Sequence, residues 1–413
     1  MVGNKMKILL INHYAGTPLM GMEFRPYYFA REWTKMGHDV WIVAGDYSHL
    51  RKNNPKVDYD FQEETVEGVN YTWVKTGQYV GNGAKRALTM FRFVAKLWKK
   101  SKWLANKYQP DVVITSSTYP IDTFAGQKIA KYAKAKLIHE VHDMWPSTLY
   151  EIGGMSKWHP FVQVMQLGEN SAYKRSDKVV SLAPYAKEYM VKHGLREDKF
   201  VHIPNGVVLE DWEQSQALPI EHEKILRGYR EENKFIVGYF GGHALSNALD
   251  TLVDAAKYID DEQVQIVLVG DGVEKKRLQE KVAENGLSNI TFMSTVSKLC
   301  ISELMNFFDC AYIGALDSPL YRFGAAMNKI YDVMMGEKPM LYAVGAPNNY
   351  VRRYDCGIDL KPGSCQSLVE GILNLKNMPE AERQIMGKNG KRAVVEYYNY
   401  EVLSKKFEDL FLE

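Results

Sequence analysis

Short apolar runs alternate with helical segments along almost the entire chain, and this alternation limits the folds that the chain can adopt. Many of the runs are apolar at every position, as in strands of a parallel sheet that is covered on both faces. We therefore predict an α/β protein built of doubly wound units. The predicted strands are Lys7–Asn12, Asp39–Ala44, Val69–Val74, Asp111–Ser116, Ala135–Val141, Lys178–Ala183, Phe235–Gly241, Gln263–Gly270, Ile290–Met293, Cys310–Ala315 and Pro339–Val344.

The pattern starts again near residue 200, which indicates two domains. Pro204-Asn205-Gly206 is a turn signal, a polar stretch follows over 210–234, and Phe235 begins a new apolar run. A single core rarely extends beyond about 250–300 residues, and the chain has 413. We expect one Rossmann-like domain over residues 1–203, a second over 204–391, and a terminal helix over 392–413 that packs back on the first domain.

Composition excludes several classes of protein. With 46% hydrophobic and 25% charged residues, the chain is neither disordered nor a multi-span membrane protein. No apolar run approaches the ~20 residues that cross a bilayer, and Ile8–Ile11 is too short for the core of a signal peptide. The four cysteines (300, 310, 356 and 365) form no C-x-x-C pair, so we expect reduced, mostly buried thiols in a cytoplasmic protein.

The small net charge of +2 conceals an asymmetry between the two halves of the chain. Residues 1–200 hold 29 Lys and Arg against 19 Asp and Glu, whereas residues 201–413 hold 23 against 31. The segment 81–110 has eight basic residues, no acidic ones and several aromatic ones. Residues 85–107 therefore fit a basic amphipathic helix on an anionic membrane surface. A core-facing helix with a solvated basic back explains them equally well; no recognisable nucleic-acid module accompanies the patch, and we expect no nucleic-acid partner.

Two glycine-containing turns follow predicted strands of the second half. Gly241-Gly242-His243 ends one strand just before a predicted helix, where backbone N–H groups can approach a phosphate. Gly270-Asp271-Gly272 ends the next strand and is placed to line the same pocket. A plain strand-to-helix turn is the competing interpretation of both.

A third segment, from Arg322 to Asp332, offers charged groups near a helix start. Arg322 and Lys329 are two cations suited to a diphosphate, and the Asp332 carboxylate can accept two hydrogen bonds from a ribose diol. An ordinary solvated helix face has the same spacing.

Histidines and a further loop mark the first half. His139 and His142 project to opposite faces of a strand, so both cannot bind one metal ion. We interpret His142 as a hydrogen-bonding or proton-handling group at a strand end; a structural histidine at a turn is the alternative. In the loop after the first strand, Gly16 permits close approach to a ligand, and Glu23 and Arg25 either contact polar groups or form a helix-start charge pair.

In this order, these features resemble the family 4 glycosyltransferases of the GT-B fold over essentially the whole chain. The order is a glycine-containing loop, a histidine at a strand end, Pro-Asn-Gly at 204–206, Gly-Gly-His, Val269-Gly-Asp-Gly272 and an Asn-Lys-x-x-Asp helix start at 328–332. The chain looks closest to bacterial members that act in O-antigen, capsule or other surface-polysaccharide assembly.

The resemblance implies two Rossmann-like domains that face each other across a cleft. It implies transfer, with retention, from a nucleotide-diphosphate sugar such as a UDP-sugar to a lipid-linked or saccharide acceptor, without a metal or other cofactor, at the cytoplasmic membrane face. It places His142 at the donor sugar and Asp332 on the ribose. Together with the interpretation of the residues above, we assign catalysis to His142, Arg322 and Lys329. We assign acceptor binding to Gly16, Glu23 and Arg25, and donor binding to Gly241, Gly242, His243, Gly270, Gly272, Gly324, Asn328 and Asp332.

The chain departs from the family at three positions. Gly324 stands where the E-x7-E element has its first acid, with Asp332 as the second, and Gly242 and Asn247 replace an Arg and a Lys. We take Arg322 as a substitute for one of these cations. An epimerase or hydrolase of the same fold, or a non-catalytic sugar-nucleotide-binding protein, is the alternative function.

Overall fold

The computed structural model describes residues 5–21, 24–81 and 83–412, and the chain divides into two compact units. Residues 1–204 and 400–413 form the amino-terminal unit, and residues 205–399 form the carboxyl-terminal unit. Within the described part of the chain, no helix is both long enough and apolar enough to span a bilayer. The four cysteines are free thiols, three buried and one partly buried.

The amino-terminal unit is built on an eight-stranded sheet in the order β3-β4-β2-β1-β5-β6-β7-β8. Every pairing is parallel except β3 with β4. The central strands are buried along almost their whole length because helices cover both faces. The strands are β1 (Lys7–Ile11), β2 (Asp39–Gly45), β3 (Gln62–Val66), β4 (Val69–Val74), β5 (Val112–Thr115), β6 (Lys136–Val141), β7 (Lys178–Ser181) and β8 (Phe200–His202).

Seven α-helices belong to the described part of this unit. They are α1 (Arg25–Lys35), α2 (Ala84–Tyr108), α3 (Thr123–Ala133), α4 (Ser147–Glu151), α5 (Pro160–Arg175), α6 (Lys187–Lys192) and, at the end of the chain, α16 (Tyr400–Leu412). The return of the terminal helix to the first unit is therefore confirmed. Phe407 of α16 packs edge-on against Trp33 of α1, and Glu408 pairs with His38.

The carboxyl-terminal unit has a six-stranded parallel sheet in the order β11-β10-β9-β12-β13-β14. Its strands are β9 (Phe235–Phe240), β10 (Val264–Val269), β11 (Ile290–Met293), β12 (Cys310–Gly314), β13 (Met340–Ala343) and β14 (Gly357–Asp359). Its helices are α7 (Leu209–Glu213), α8 (Ile220–Glu231), α9 (Leu249–Ala256), α10 (Lys275–Glu284), α11 (Ile301–Phe307), α12 (Asn328–Met335), α13 (Tyr350–Tyr354), α14 (Cys365–Asn377) and α15 (Glu380–Tyr397). The α/β class with two doubly wound sheets is thus confirmed.

One expectation about the chain end is wrong. Residues 392–413 do not form a single helix, because α15 ends at Tyr397 and α16 begins at Tyr400. The backbone between them pairs instead with the start of the second unit, where the Val207 N–H donates to the Tyr398 carbonyl at 2.9 Å. That pairing holds the backbone of Tyr398 outside helical geometry and gives the chain a break at which it changes units.

Candidate active site

The sheet of the carboxyl-terminal unit reverses its winding between β9 and β12, and ligands of open α/β sheets bind at such a switch point. Gly241 lies in the loop after β9, and Lys329 lies in the first turn of α12, the helix that follows β12. A Cβ atom built on Gly241 would lie 3.6 Å from the Lys329 Nζ, so the loop and the helix start meet at the carboxyl edge of the sheet. The predicted glycine turn and the predicted cation therefore lie at one site.

Two close backbone approaches explain the glycines after β9 and β10. A Cβ atom on Gly270 would lie 1.9 Å from the carbonyl oxygen of Gly241, and one on Gly272 would lie 2.4 Å from that of His243. The φ angles of Gly241, Gly270 and Gly272 are +123°, +152° and +155°, which side chains disfavour. Residues with side chains would push these two loops apart.

Backbone donors at this edge are partly engaged. The Gly241 N–H donates to the Val269 carbonyl at 3.0 Å. Gly242 is exposed, and its N–H donates to no atom of the described residues. Its carbonyl accepts hydrogen bonds from the Tyr239 hydroxyl at 2.7 Å and the Asn247 amide at 2.9 Å. These bonds fix the turn so that the Gly242 N–H is available to a ligand.

Lys329 supplies a cation to this site. It lies in the first turn of α12, and its Nζ donates to the Tyr239 hydroxyl at 2.9 Å and to the Asn247 Oδ1 at 2.7 Å. Neither partner is a carboxylate, and burial lowers the pKa of Lys329 to about 7. An ammonium placed at a helix start without a carboxylate partner is suited to a phosphate group.

His243 lies beneath the loops rather than on their surface. Its side chain is fully buried, its ring contacts Tyr239 and Phe292, and neither ring nitrogen bonds to a described residue. Burial lowers the pKa of His243 to about 4, so the ring is neutral. The ring of His243 packs beneath the Gly270 turn, and donor binding by the Gly241–His243 turn stays a prediction.

Asp332 also differs from its predicted state. The carboxylate is buried and forms an ion pair with Lys298, which lies before α11. Asp332 lies one turn into α12, three residues after Lys329, as predicted from the sequence. Its Oδ1 already accepts a hydrogen bond from the Lys298 ammonium. Asn328, the first residue of α12, is exposed.

Arg322 is not brought to the Lys329 cluster. Its guanidinium lies over the Phe323 ring at 4.1 Å and donates to the Pro319 carbonyl at 2.7 Å. It lines a separate open cavity of about 890 Å³, with Arg352 and Asp359 among the other lining residues, and Lys329 is not among the described residues that line it. Gly324, with φ +105°, ends the short turn that holds Arg322.

The amino-terminal unit places His142 just beyond the end of β6. Its Nε2 lies 2.8 Å from the Ser116 Oγ and 3.1 Å from the Glu140 Oε2. His139 has different partners, the Thr115 hydroxyl at 2.8 Å and the Tyr173 ring, so the two imidazoles point apart as expected. His142 remains partly exposed at the carboxyl edge of the sheet.

The predicted acceptor residues are not arranged for a ligand. Gly16 is buried and its carbonyl accepts from the Tyr71 hydroxyl at 3.1 Å. Arg25 is buried and pairs with Glu140 at 2.9 Å, so its predicted contact with an acceptor is wrong. Glu23 lies outside the described residues.

Three partners were not singled out as site residues from the sequence: Glu140 and Ser116 beside His142, and Tyr239 beside Lys329. Asn247, the other partner of Lys329, was noted as the replacement of a family cation. Glu140 and Tyr239 carried a usable signal, because each lies two residues before a predicted site residue and close to the carboxyl end of a strand.

Solved structures similar to this chain share its fold. Sucrose-phosphate synthase of Thermosynechococcus elongatus aligns with a TM-score of 0.76 and 17% identity over 99% of this chain and 98% of its own. HepE of Anabaena, in a complex with UDP and glucose, aligns with a TM-score of 0.69 and 16% identity over 99% of this chain and 100% of its own. With the two parallel sheets, these likenesses define the class of the molecule as a GT-B fold.

Family models identify both halves of the chain. Residues 20–211 match the model of Glycosyltransferase Family 4, and residues 234–377 match that of Glycosyl transferases group 1. The chain therefore belongs to the glycosyltransferases, with a family 4 domain followed by a group 1 domain. It is 22% identical over 200 residues to the putative colanic acid biosynthesis glycosyl transferase WcaI of Escherichia coli (strain K12). That match covers 46% of this chain and about half (48%) of WcaI.

Proposed function

We propose that this protein transfers a sugar from a UDP-sugar to a lipid-linked or saccharide acceptor in the assembly of a surface polysaccharide. The observation that carries the proposal is the Lys329 ammonium, which lies beside the Gly241–Gly242 turn with no carboxylate among its hydrogen-bond acceptors. A departing nucleoside diphosphate develops negative charge on its phosphates. Donors that are already in place at that position stabilise this charge without reorganising.

The donor belongs to the carboxyl-terminal unit in this proposal. Lys329 and the Gly242 N–H bind the diphosphate, and the first turn of α12 adds its positive end. For the ribose to bind Asp332, Lys298 has to share that carboxylate or leave it. UDP is favoured as the nucleotide because a structural relative, HepE, has been crystallised with UDP and glucose.

The acceptor and the reaction course are inferred from family membership. We assign the acceptor to the amino-terminal unit and His142 to the reacting sugar, with transfer by retention and without a metal. The description of WcaI as a colanic acid biosynthesis enzyme supports a polysaccharide acceptor. The protein would then act at the cytoplasmic face of the membrane, where nucleotide sugars meet lipid-linked acceptors.

Nucleotide binding is testable by thermal unfolding. A ligand that binds only the folded state stabilises it by RT ln(1 + [L]/Kd), about 2.7 kcal/mol at 100 times Kd. We expect UDP to raise the Tm by several degrees, GDP and ADP to raise it less, and excess EDTA to leave the UDP shift unchanged. The absence of a shift with all three nucleotides would contradict donor binding.

Turnover separates the reaction classes. Incubation with a UDP-sugar should release UDP only when an acceptor extract is added. Release of UDP without acceptor would indicate a hydrolase, and an isomerised UDP-sugar would indicate an epimerase.

Helix α2 supports a membrane-bound site of action. It buries Met90, Phe93, Leu97 and Leu104, whereas Leu88, Phe91, Trp98 and Trp103 remain 38–54% exposed. An apolar stripe that includes Leu88 and Trp98 therefore lies on the outer face, and a different stripe packs on the core. Among the described residues, Lys85, Lys99, Lys100 and Lys102 have no hydrogen bond or ion pair. We propose that this face of α2 binds an anionic bilayer.

Reversal of charge on α2 is expected to abolish binding to vesicles. Each near-surface cation contributes about 1 kcal/mol of attraction. The variant Lys99→Glu/Lys100→Glu/Lys102→Glu should therefore bind anionic vesicles more than tenfold more weakly than the unmodified protein. Cosedimentation with phosphatidylglycerol vesicles measures it. The control Lys224→Glu/Lys276→Glu/Lys388→Glu reverses three exposed lysines of the other unit. Equal binding by both variants would show that α2 does not bind the membrane.

A further inference from the structure

The environment of Glu140 connects His142 to the end of the amino-terminal unit. Glu140 is 1% exposed, and both of its carboxylate oxygens are engaged. Oε1 accepts from the Arg25 guanidinium at 2.9–3.0 Å. Oε2 accepts from the Ser116 hydroxyl at 2.6 Å and faces the His142 Nε2 at 3.1 Å. One buried carboxylate therefore joins an arginine, a serine and the histidine.

These contacts determine which imidazole nitrogen carries the proton. An ionised carboxylate only accepts hydrogen bonds. Burial opposes ionisation of Glu140, but the adjacent Arg25 and His142 hold its pKa well below the usual range. The Ser116 hydroxyl donates its hydrogen to Glu140. Its oxygen therefore faces the His142 Nε2 as an acceptor, at 2.8 Å. Both atoms that face Nε2 are thus acceptors, and Nε2 bears the hydrogen.

Arg25 extends the connection to the backbone. Beyond Glu140, its guanidinium donates to the carbonyl of Pro204 at 2.6 Å and to that of Ile203 at 2.9 Å. These are the last two residues of the amino-terminal unit before the chain enters the second unit at Asn205. Arg25 is 5% exposed, so this arm is part of the interior and not a surface ion pair.

We propose that Glu140 and Arg25 are positioning residues that hold His142 as its Nε2–H tautomer and tie it to the backbone at Ile203–Pro204. In the neutral form of the ring, Nδ1 is then the unprotonated nitrogen. The effect on turnover rests on the proposed function, whereas the tautomer is a property of the protein alone. A histidine held in the wrong tautomer by an altered acid loses most of its catalytic effect while the fold is kept.

Three other ionisable groups lie near His142. His139 lies on the opposite face of β6 and bonds to Thr115. Asp122 is fully buried and accepts from the Ser117 N–H at 3.0 Å; burial raises its pKa to about 7. Asp143 is exposed and follows His142 directly in the chain. The Glu140 Oε2 lies within hydrogen-bond distance of the imidazole, at 3.1 Å.

The first experiment is NMR of the ¹⁵N-labelled full-length protein, in which the imidazole nitrogen shifts report the tautomer. The His142 resonances are assigned by their loss in His142→Gln. We expect the unmodified protein to show protonated Nε2 and, at high pH, unprotonated Nδ1. Protonated Nδ1 with bare Nε2 would overturn the proposal, and this test requires no destabilising variant and no activity.

The second experiment compares Glu140→Gln with Glu169→Gln, a buried carboxyl-to-amide control on α5. Glu169 bonds to Tyr173 and Tyr189 and not to His142. In Glu140→Gln the amide can donate toward Nε2, so we expect the Nδ1–H tautomer and a kcat about 100-fold lower, with KM for the UDP-sugar within about twofold. The control should keep the tautomer and the rate.

Arg25→Lys should give an intermediate loss, because it keeps the charge but not the three-way contact. An unchanged tautomer and rate in Glu140→Gln would overturn the inference. If the unmodified protein transfers no sugar, the proposed function fails, and the tautomer alone decides the inference.

Discussion

Replacement of Lys329 by alanine is expected to weaken UDP binding about 100-fold, or about 2.7 kcal/mol, since hydrogen bonds to charged groups contribute about 1.5–3 kcal/mol each. Among the described residues, the Lys329 ammonium donates to Tyr239 and Asn247 alone. A diphosphate can therefore pair with this ammonium without displacing a carboxylate. Isothermal titration calorimetry with UDP measures the change. The matched control is Lys361→Ala, which removes an exposed lysine from the separate cavity near Arg322.

The pH dependence of the same titration identifies the ammonium. Burial lowers the pKa of Lys329 to about 7 in the free protein, and a bound diphosphate raises it again because opposite charge favours the protonated form. Above pH 7, UDP binding therefore takes up a proton, and Kd should rise by up to about tenfold per pH unit. The phosphate has a pKa near 6 and is already ionised in that range.

Lys329→Arg provides the control for that slope. Arginine stays charged at all accessible pH values, so its Kd should be flat between pH 7 and 9. If Lys329→Ala binds UDP as tightly as the unmodified protein, the diphosphate does not lie at this site.

Replacement of His142 by alanine is expected to lower kcat by about 100- to 1,000-fold, the range in which positioned acid, base or hydrogen-bonding groups contribute. UDP affinity should stay within about twofold, because the proposed UDP contacts all belong to the carboxyl-terminal unit. Initial rates of transfer from a radiolabelled UDP-sugar measure kcat, and calorimetry measures the affinity.

His159→Asn is the matched histidine control. His159 is exposed and caps α5 by accepting from the Phe161 N–H, a role that asparagine can also fill. This variant should keep the rate. Full turnover in His142→Ala would show that the imidazole has no part in the reaction and would remove the amino-terminal half of the proposed site.

The interior of the fold could be predicted from the sequence, but its edges could not. Buried parallel strands such as β9 and β10 are apolar throughout and are therefore visible as runs. Strand β3 has the sequence Gln-Glu-Glu-Thr-Val at the sheet edge, where solvated side chains leave no apolar run. Strands β8 and β14 have three residues each, too few to form a pattern. An apolar run in the sequence indicates a strand whose two faces are both buried. A strand with one solvated face leaves no such run.

The same distinction holds for the site. Gly241 and Lys329 were found because a strand end and a helix start are local features. Arg25 was misassigned because its partner, Glu140, is 115 residues away in the chain. The state of Asp332 depends on Lys298, 34 residues away. From sequence alone, a charged residue that forms an ion pair within the fold looks the same as one that is free to bind a ligand. The two cases differ only in the structure, where the partner is known.

The most direct measurement is the position of the diphosphate in a crystal structure, determined from crystals of the protein that have been soaked in UDP. We expect density for the diphosphate within hydrogen-bond distance of the Lys329 Nζ and the Gly242 N–H. Density for the diphosphate in the cavity lined by Arg322 and Arg352, with the Lys329 site empty, would contradict it.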